Sequence, residues 1–182
     1  VALSGVDMQI RRGEIFGLVG PNGSGKTTLT NAITGFYPPQ RGSITLEGRD
    51  ITGMPPHAVA RLGVARTFQN LALFNGMTVL DNILLGRHVH MRPSVLRTAL
   101  YPWLARPDEI KHRIAVEEVI DFLQLQGVRD ELVDAIPIGL KKRVELARAL
   151  IAGPKLLILD EPTAGLNDQE SAALNRTILS VR

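Results

Sequence analysis

Gly20-Pro21-Asn22-Gly23-Ser24-Gly25-Lys26-Thr27 is the stretch on which the reading of this chain turns. Three glycines in six residues let the backbone wrap closely round an anion, with successive N–H groups pointing inward. A G-x-x-x-x-G-K-[ST] run carries that chemistry only between a strand and a helix, and both neighbours are legible. Upstream, Glu14 to Gly20 (EIFGLVG) reads as a buried apolar strand. Downstream, Gly25 to Thr34 reads as a helix, stopped by Gly35 and then by Pro38-Pro39. The helix start adds roughly half a positive charge. Lys26 is suited to place an ammonium on β- and γ-phosphates, and the Thr27 hydroxyl to ligate Mg²⁺.

The second informative stretch is Lys155-Leu156-Leu157-Ile158-Leu159-Asp160-Glu161. Leu156 to Leu159 is a continuous apolar run of the kind found inside a parallel sheet. It delivers two carboxylates to the strand's C-terminal end, where open α/β sheets bind their ligands. Asp160 is suited to hold Mg²⁺ and Glu161 to polarise an attacking water. Neighbouring residues on a strand face opposite ways, which gives the two carboxylates different roles.

Further out, Leu3, Val6, Met8 and Ile10 form a loosely alternating run. Ser43 to Leu46 before Glu47-Gly48 predicts an antiparallel element, and Gly63 to Phe68 another strand. Helices are predicted at Thr78 to Leu85, with Thr78-x-x-Asp81 as its start, and at Asp108 to Gln126. The second has Ile114, Val116, Val119, Ile120, Phe122 and Leu123 on its apolar face. A third helix spans Lys141 to Ala152, with Val144, Ala147 and Ile151 on one stripe, and a last one runs to Arg182. Arg87 to Arg106, with two prolines, reads as loop or short helix. Strands alternating with helices define an α/β fold. Its nucleotide-binding core comprises residues 1–70 and 154–182, and a helical subdomain, 71–153, is inserted. Opening on Val1 within a strand-like stretch, the chain reads as trimmed at both ends.

Composition narrows the function classes. The chain has 182 residues, 45% of them hydrophobic and 21% charged, so it builds one ordinary globular domain. It has no cysteine, which excludes a disulfide scaffold and thiol catalysis. No apolar run reaches the ~18 residues of a membrane span. The net charge of +3 is scattered, mostly as arginine, and forms no basic arm for nucleic acid. His88-x-His90 lacks neighbouring ligands for a metal. Tyr101 and Trp103 read as local packing.

These residues resemble one family, the ATP-binding subunits of ABC transporters, over essentially the whole chain. Gly20, Pro21, Asn22, Gly23, Ser24, Gly25, Lys26, Thr27 and Thr28 are similar to its Walker A segment. Arg66-Thr67-Phe68-Gln69-Asn70 resembles its Q-loop, with Gln69 contacting Mg²⁺ or water. Leu156 to Glu161 resembles Walker B followed by the catalytic glutamate. Pro162 to Asn167 resembles the D-loop, with Asn167 where aspartate is usual. The signature departs from the pattern. Where the family has L-S-G-G-Q, the chain has Ile136-Pro137-Ile138-Gly139-Leu140, so Pro137 replaces a serine hydroxyl and removes an N–H. The proline-bearing signature resembles one of the two ATPase subunits of branched-chain amino-acid importers. So do Thr67 to Asn70, Leu73-Phe74 and Met77-Thr78-Val79.

The resemblance implies an ATP-binding-cassette α/β core, mostly parallel with an antiparallel β-subdomain, and cofactors ATP and Mg²⁺. It implies a second ATPase subunit, identical or related, which takes the Ile138-Gly139-Leu140 helix start against its own ATP. It also implies transmembrane permease partners at the cytoplasmic face of a membrane, with Leu71, Leu73 and Phe74 as part of the docking groove. No nucleic acid is expected. An adenine-stacking aromatic and a switch histidine would fall outside the chain, which implies weak MgATP binding and poor turnover here. Two other readings stay open: a soluble ATPase of this type acting on nucleic acid or ribosomes, and a kinase built on the same loop.

Overall fold

The computed structural model describes residues 3–67, 72–89 and 106–181, with side chains over 3–67, 72–87 and 114–181. Gly25, at φ 93°, turns the chain into α1 (Lys26–Ile33), which ends on Thr34 and a positive-φ Gly35. A Cβ at Gly35 would sit 2.2 Å from the Met54 carbonyl, so only glycine allows the chain to pass there. The expected antiparallel element is a hairpin of β1 (Thr45–Leu46) and β2 (Arg49–Asp50). Glu47 and Gly48 both take positive φ at its two-residue turn, the geometry that matches strand twist. The Lys155 ammonium, hydrogen-bonded to Glu47, holds that carboxyl below its ordinary value.

A short helix that the sequence reading missed, α2 (Pro56–Arg61), follows, with proline at its first position. The central pair is β3 (Val64–Arg66) and β4 (Leu156–Ile158), parallel and in register Val64 to Leu156, Ala65 to Leu157, Arg66 to Ile158. Ile51, Val59 and Val64 form a small core under this pair, with Leu156 and Ile158 packed against it.

Among the described residues, three α-helices come between β3 and β4. These are α3 (Val79–Leu85), α4 (Arg106–Phe122) and α5 (Ile138–Leu150), with α6 (Asp168–Ser180) following β4. Thr78 caps α3 by accepting from the Asp81 amide. Buried Asn82 staples the preceding segment to α3, exchanging hydrogen bonds with both backbone groups of Phe74. Val79, Ile83, Val116, Ile120, Val144, Ala147 and Leu174 meet in the main core, against which Leu157 and Leu159 pack from the strand side.

Four expectations are corrected. Residues 14–20 form no strand, and Val19 is 93% exposed. An apolar run becomes a strand only when a neighbour bonds its edges, and no backbone N–H of residues 15–19 finds an acceptor among the described residues. The same holds for the alternating run, whose Val6 and Ile10 lie exposed without a partner strand among the described residues. The helix expected over 108–126 ends at Phe122, because Leu123 to Leu125 close it with turn bonds and Gln124 takes positive φ. Ile114 and Phe122 lie off its buried face, exposed to solvent. The helix expected from Lys141 begins three residues earlier, with Pro137 as its cap. Phe68, Gln69, Asn70, Leu71, His90, Tyr101 and Trp103 lie outside the described residues.

Candidate functional site

The phosphate-loop residues open α1 as the spacing requires, without the strand expected before them. Gly23 (φ 82°) and Gly25 (φ 93°) take conformations that side chains resist, although open space surrounds Gly23. Gly20 is glycine for another reason, since a Cβ there would meet the Ser24 hydroxyl at 2.7 Å. The Ser24 amide closes the loop on the Pro21 carbonyl at 3.2 Å. Lys26 folds back over it, its ammonium donating to the Gly20 carbonyl at 2.6 Å and to Pro21 at 2.9 Å. No side chain caps α1. The amides of Lys26, Thr27 and Thr28 find no acceptor among the described residues, so the loop offers a positive helix end to an anion.

Asp160 follows β4 at the C-terminal edge of the parallel pair. Its carboxylate is bonded by the Arg66 guanidinium at 2.8 Å, and its amide donates to the Thr67 hydroxyl at 3.4 Å. Arg66, at the end of β3, also donates to the Asn31 side chain on α1 at 2.6 Å. The structure thus brings phosphate-loop helix and acidic strand together through Arg66. Glu161 is next in the chain, exposed and at φ 47°, with its carbonyl accepting from the Ala164 amide. Gln69, two residues beyond Thr67, lies outside the described residues.

The signature-like residues form a second group. Pro137 accepts from the Leu140 and Lys141 amides, while Ile138 and Gly139 make the first turn of α5. Asn167 caps α6 in a reciprocal box, accepting from the Glu170 amide at 2.9 Å while Glu170 accepts from the Asn167 amide at 3.2 Å. Glu170 also reaches the start of α5, since a Cβ on Gly139 would lie 2.7 Å from its carboxylate oxygen. A surface pocket of about 190 Å³ opens there, lined by Pro137, Gly139, Leu140, Arg143, Glu170 and Leu174. Deeper in α5, Lys142 and Glu145 form a buried pair at 3.8 Å beside Thr67 and Pro162.

Leu73 packs against the main core and Phe74 is exposed, its ring under the Arg148 guanidinium at 5.9 Å. Arg148 also donates to the Ala72 carbonyl, and burial lowers its pKa from the ordinary value, opposed by Glu145.

Sequence reasoning passed over Arg66, Asn31 and Glu170 as site residues. Two signals were available: Asn31 follows Thr27 by one helical turn, and Asn167-x-x-Glu170 has capping-box spacing. Arg66 opens the Q-loop-like run, but its contact with Asp160, 94 residues away, depends on the pairing of β3 with β4.

A phosphate loop opening a helix beside an acidic strand end defines a phosphate-loop α/β cassette. Residues 3–164 match the sequence model of the ABC transporter family, and the chain belongs to that family. It is 36% identical to the high-affinity branched-chain amino acid transport ATP-binding protein BraF of Pseudomonas aeruginosa, over all of this chain and 71% of BraF. It is 37% identical to the corresponding protein LivG of Salmonella typhimurium, again over all of this chain and 71% of that one. Among solved structures, MJ1267, an ATP-binding cassette of an ABC transporter in its ADP conformation, superposes with a TM-score of 0.82. That match is 33% identical and covers 98% of this chain and 69% of MJ1267. Among the described residues no helix is long and apolar enough to cross a membrane.

Proposed function

We propose that this chain is the ATP-hydrolysing subunit that powers an ABC importer of branched-chain amino acids. The observation that carries the reading is the phosphate loop. Its first helical amides lack acceptors, and its lysine rests on the loop's own carbonyls, ready to exchange them for phosphate oxygens. Relatives named as branched-chain amino-acid transport subunits supply the solute.

Gly20 to Thr28 hold the phosphates of ATP, with Lys26 as the β/γ contact. Mg²⁺ takes one or two ligands from protein and the rest from phosphate and water. The hydroxyl of Thr27, the carboxylate of Asp160 and the amide of Gln69 are a donor set of that kind. Bound there, the ion would neutralise charge on the phosphates. Glu161 polarises the attacking water, and Gln69 orients it. Ile138, Gly139 and Leu140, at the positive end of α5, meet the ATP of a second cassette, identical or related. Asn167 stands at the same face. Transmembrane permease subunits dock at Leu73 and Phe74 and hold the cassette to the cytoplasmic face of the membrane. The closed dimer binds ATP better than the open one, so ATP shifts the population toward closure. Residues 1–70 and 154–182 serve as the nucleotide-binding core and 71–153 as the helical subdomain.

The test is a titration with a fluorescent ATP analogue on this chain and on Lys26→Ala. Saturable binding by the parent that weakens at least tenfold in Lys26→Ala is the expected result. Equal binding by both would remove the phosphate loop from the site.

A further inference from the structure

We propose that Arg66 is a positioning residue for the magnesium site, fixing the Asp160 carboxylate to the helix face that carries Thr27. The inference rests on the ATP reading above and deepens it. Thr27 and Asn31 are four residues apart on α1 and share one face of it. The Asn31 amide oxygen accepts from one guanidinium nitrogen of Arg66 at 2.6 Å, and the Asp160 carboxylate binds the other at 2.8 Å. One planar fork therefore spans the phosphate-loop helix and the acidic strand end.

Both ends of the bridge are held in turn. The Asn31 carbonyl accepts from the Phe36 amide, which closes α1, and the Asp160 amide donates to the buried Thr67 hydroxyl. The Arg66 side chain is 8% exposed and that of Asp160 21%, so the charges meet where water screens them poorly. Arg66 engages one carboxylate oxygen, Oδ2, and a carboxylate has a second. That geometry orients the group as outer-shell partners orient metal ligands. Lysine would keep the charge but not the fork.

The test measures metal rather than turnover. The fluorescent ATP analogue is titrated onto the full chain in EDTA, then Mg²⁺ is titrated at fixed nucleotide, for the parent, Arg66→Met, Arg66→Lys and Asn31→Ala. Arg66→Met should keep nucleotide binding in EDTA, while its half-saturating Mg²⁺ rises roughly tenfold or more. Arg66→Lys should recover part of that loss, and Asn31→Ala should shift less in the same direction. An unchanged or lower midpoint in Arg66→Met would overturn the proposal and leave the ATP reading standing. No nucleotide binding by the parent would overturn both. Should Arg66→Met lose its thermal transition, Asn31→Ala decides, because it keeps the Arg66–Asp160 pair: a raised midpoint supports the bridge and an unmoved one overturns it.

Discussion

Glu161 shows how a single residue carries a cost for its place. At φ 47° it occupies the left-handed region, which costs an ordinary residue roughly 1–2 kcal/mol. Strain of this kind persists where the surroundings over-determine it, and it collects at active sites. Two substitutions separate the backbone from the carboxylate. Glu161→Gln keeps both shape and strain, so it should bind ATP as the parent does and stall at hydrolysis. Glu161→Gly relieves the strain but loosens the unfolded chain, an offset of about 0.4–1 kcal/mol. Its melting temperature should be no lower than the parent's, while phosphate release is lost. A melt several degrees lower would mean that the glutamate side chain stabilises this turn by more than its backbone strains it. The pairing of Asp160 and Glu161 was legible in the sequence, but the left-handed backbone between them was not. It arises from the turn that follows β4, which glutamate has no intrinsic tendency to form.

At the scale of elements, α5 and α6 meet at one carboxylate. One carboxylate oxygen of Glu170 accepts from the Asn167 amide, and the other lies against Gly139. Gly139 is thus glycine because α6 is capped. A methyl there must displace the Glu170 carboxylate, at a cost of about 0.5–1.5 kcal/mol for its lost hydrogen bond, while Asn167 still caps α6. Removing glycine from a helix returns at most about 1 kcal/mol. Gly139→Ala should therefore destabilise the parent by up to about 1 kcal/mol. In a Glu170→Ala background the same change should be neutral or stabilising, because only the helix preference remains. Denaturant unfolding of the four chains gives the cycle. Additive effects would show that Glu170 and Gly139 are neighbours without being coupled. The capping spacing Asn167-x-x-Glu170 was written in the sequence, whereas the contact of Glu170 with Gly139, 31 residues away, depends on how the two helices pack.

At the scale of the whole molecule, local pattern and tertiary outcome part most clearly in the stretch before the phosphate loop. The stripe Val144, Ala147 and Ile151 was read as a buried helix face and is one, because a helix satisfies its own backbone and needs only a partner surface. Leu156 to Ile158 was read as a strand and is one, since β3 lies beside it. Ile15 to Val19 has an equally apolar pattern and stays unpaired, because its hydrogen bonds must come from elsewhere. The fold class was therefore legible from helices, loop and motif, and the strand content only in part, since pairing is a property of two segments at once. Native-state hydrogen exchange tests this directly. Amides of residues 15–19 should exchange at nearly unprotected rates. Those of Val144 and Ala147, inside the main core, should exchange only through global opening. Slow exchange at 15–19 would mean that a neighbour covers the edge in solution, and its dependence on protein concentration would distinguish a second copy from a strand of the same chain. An exposed apolar edge invites such pairing, so protection that rises with concentration would place the contact between copies, beside the phosphate loop itself.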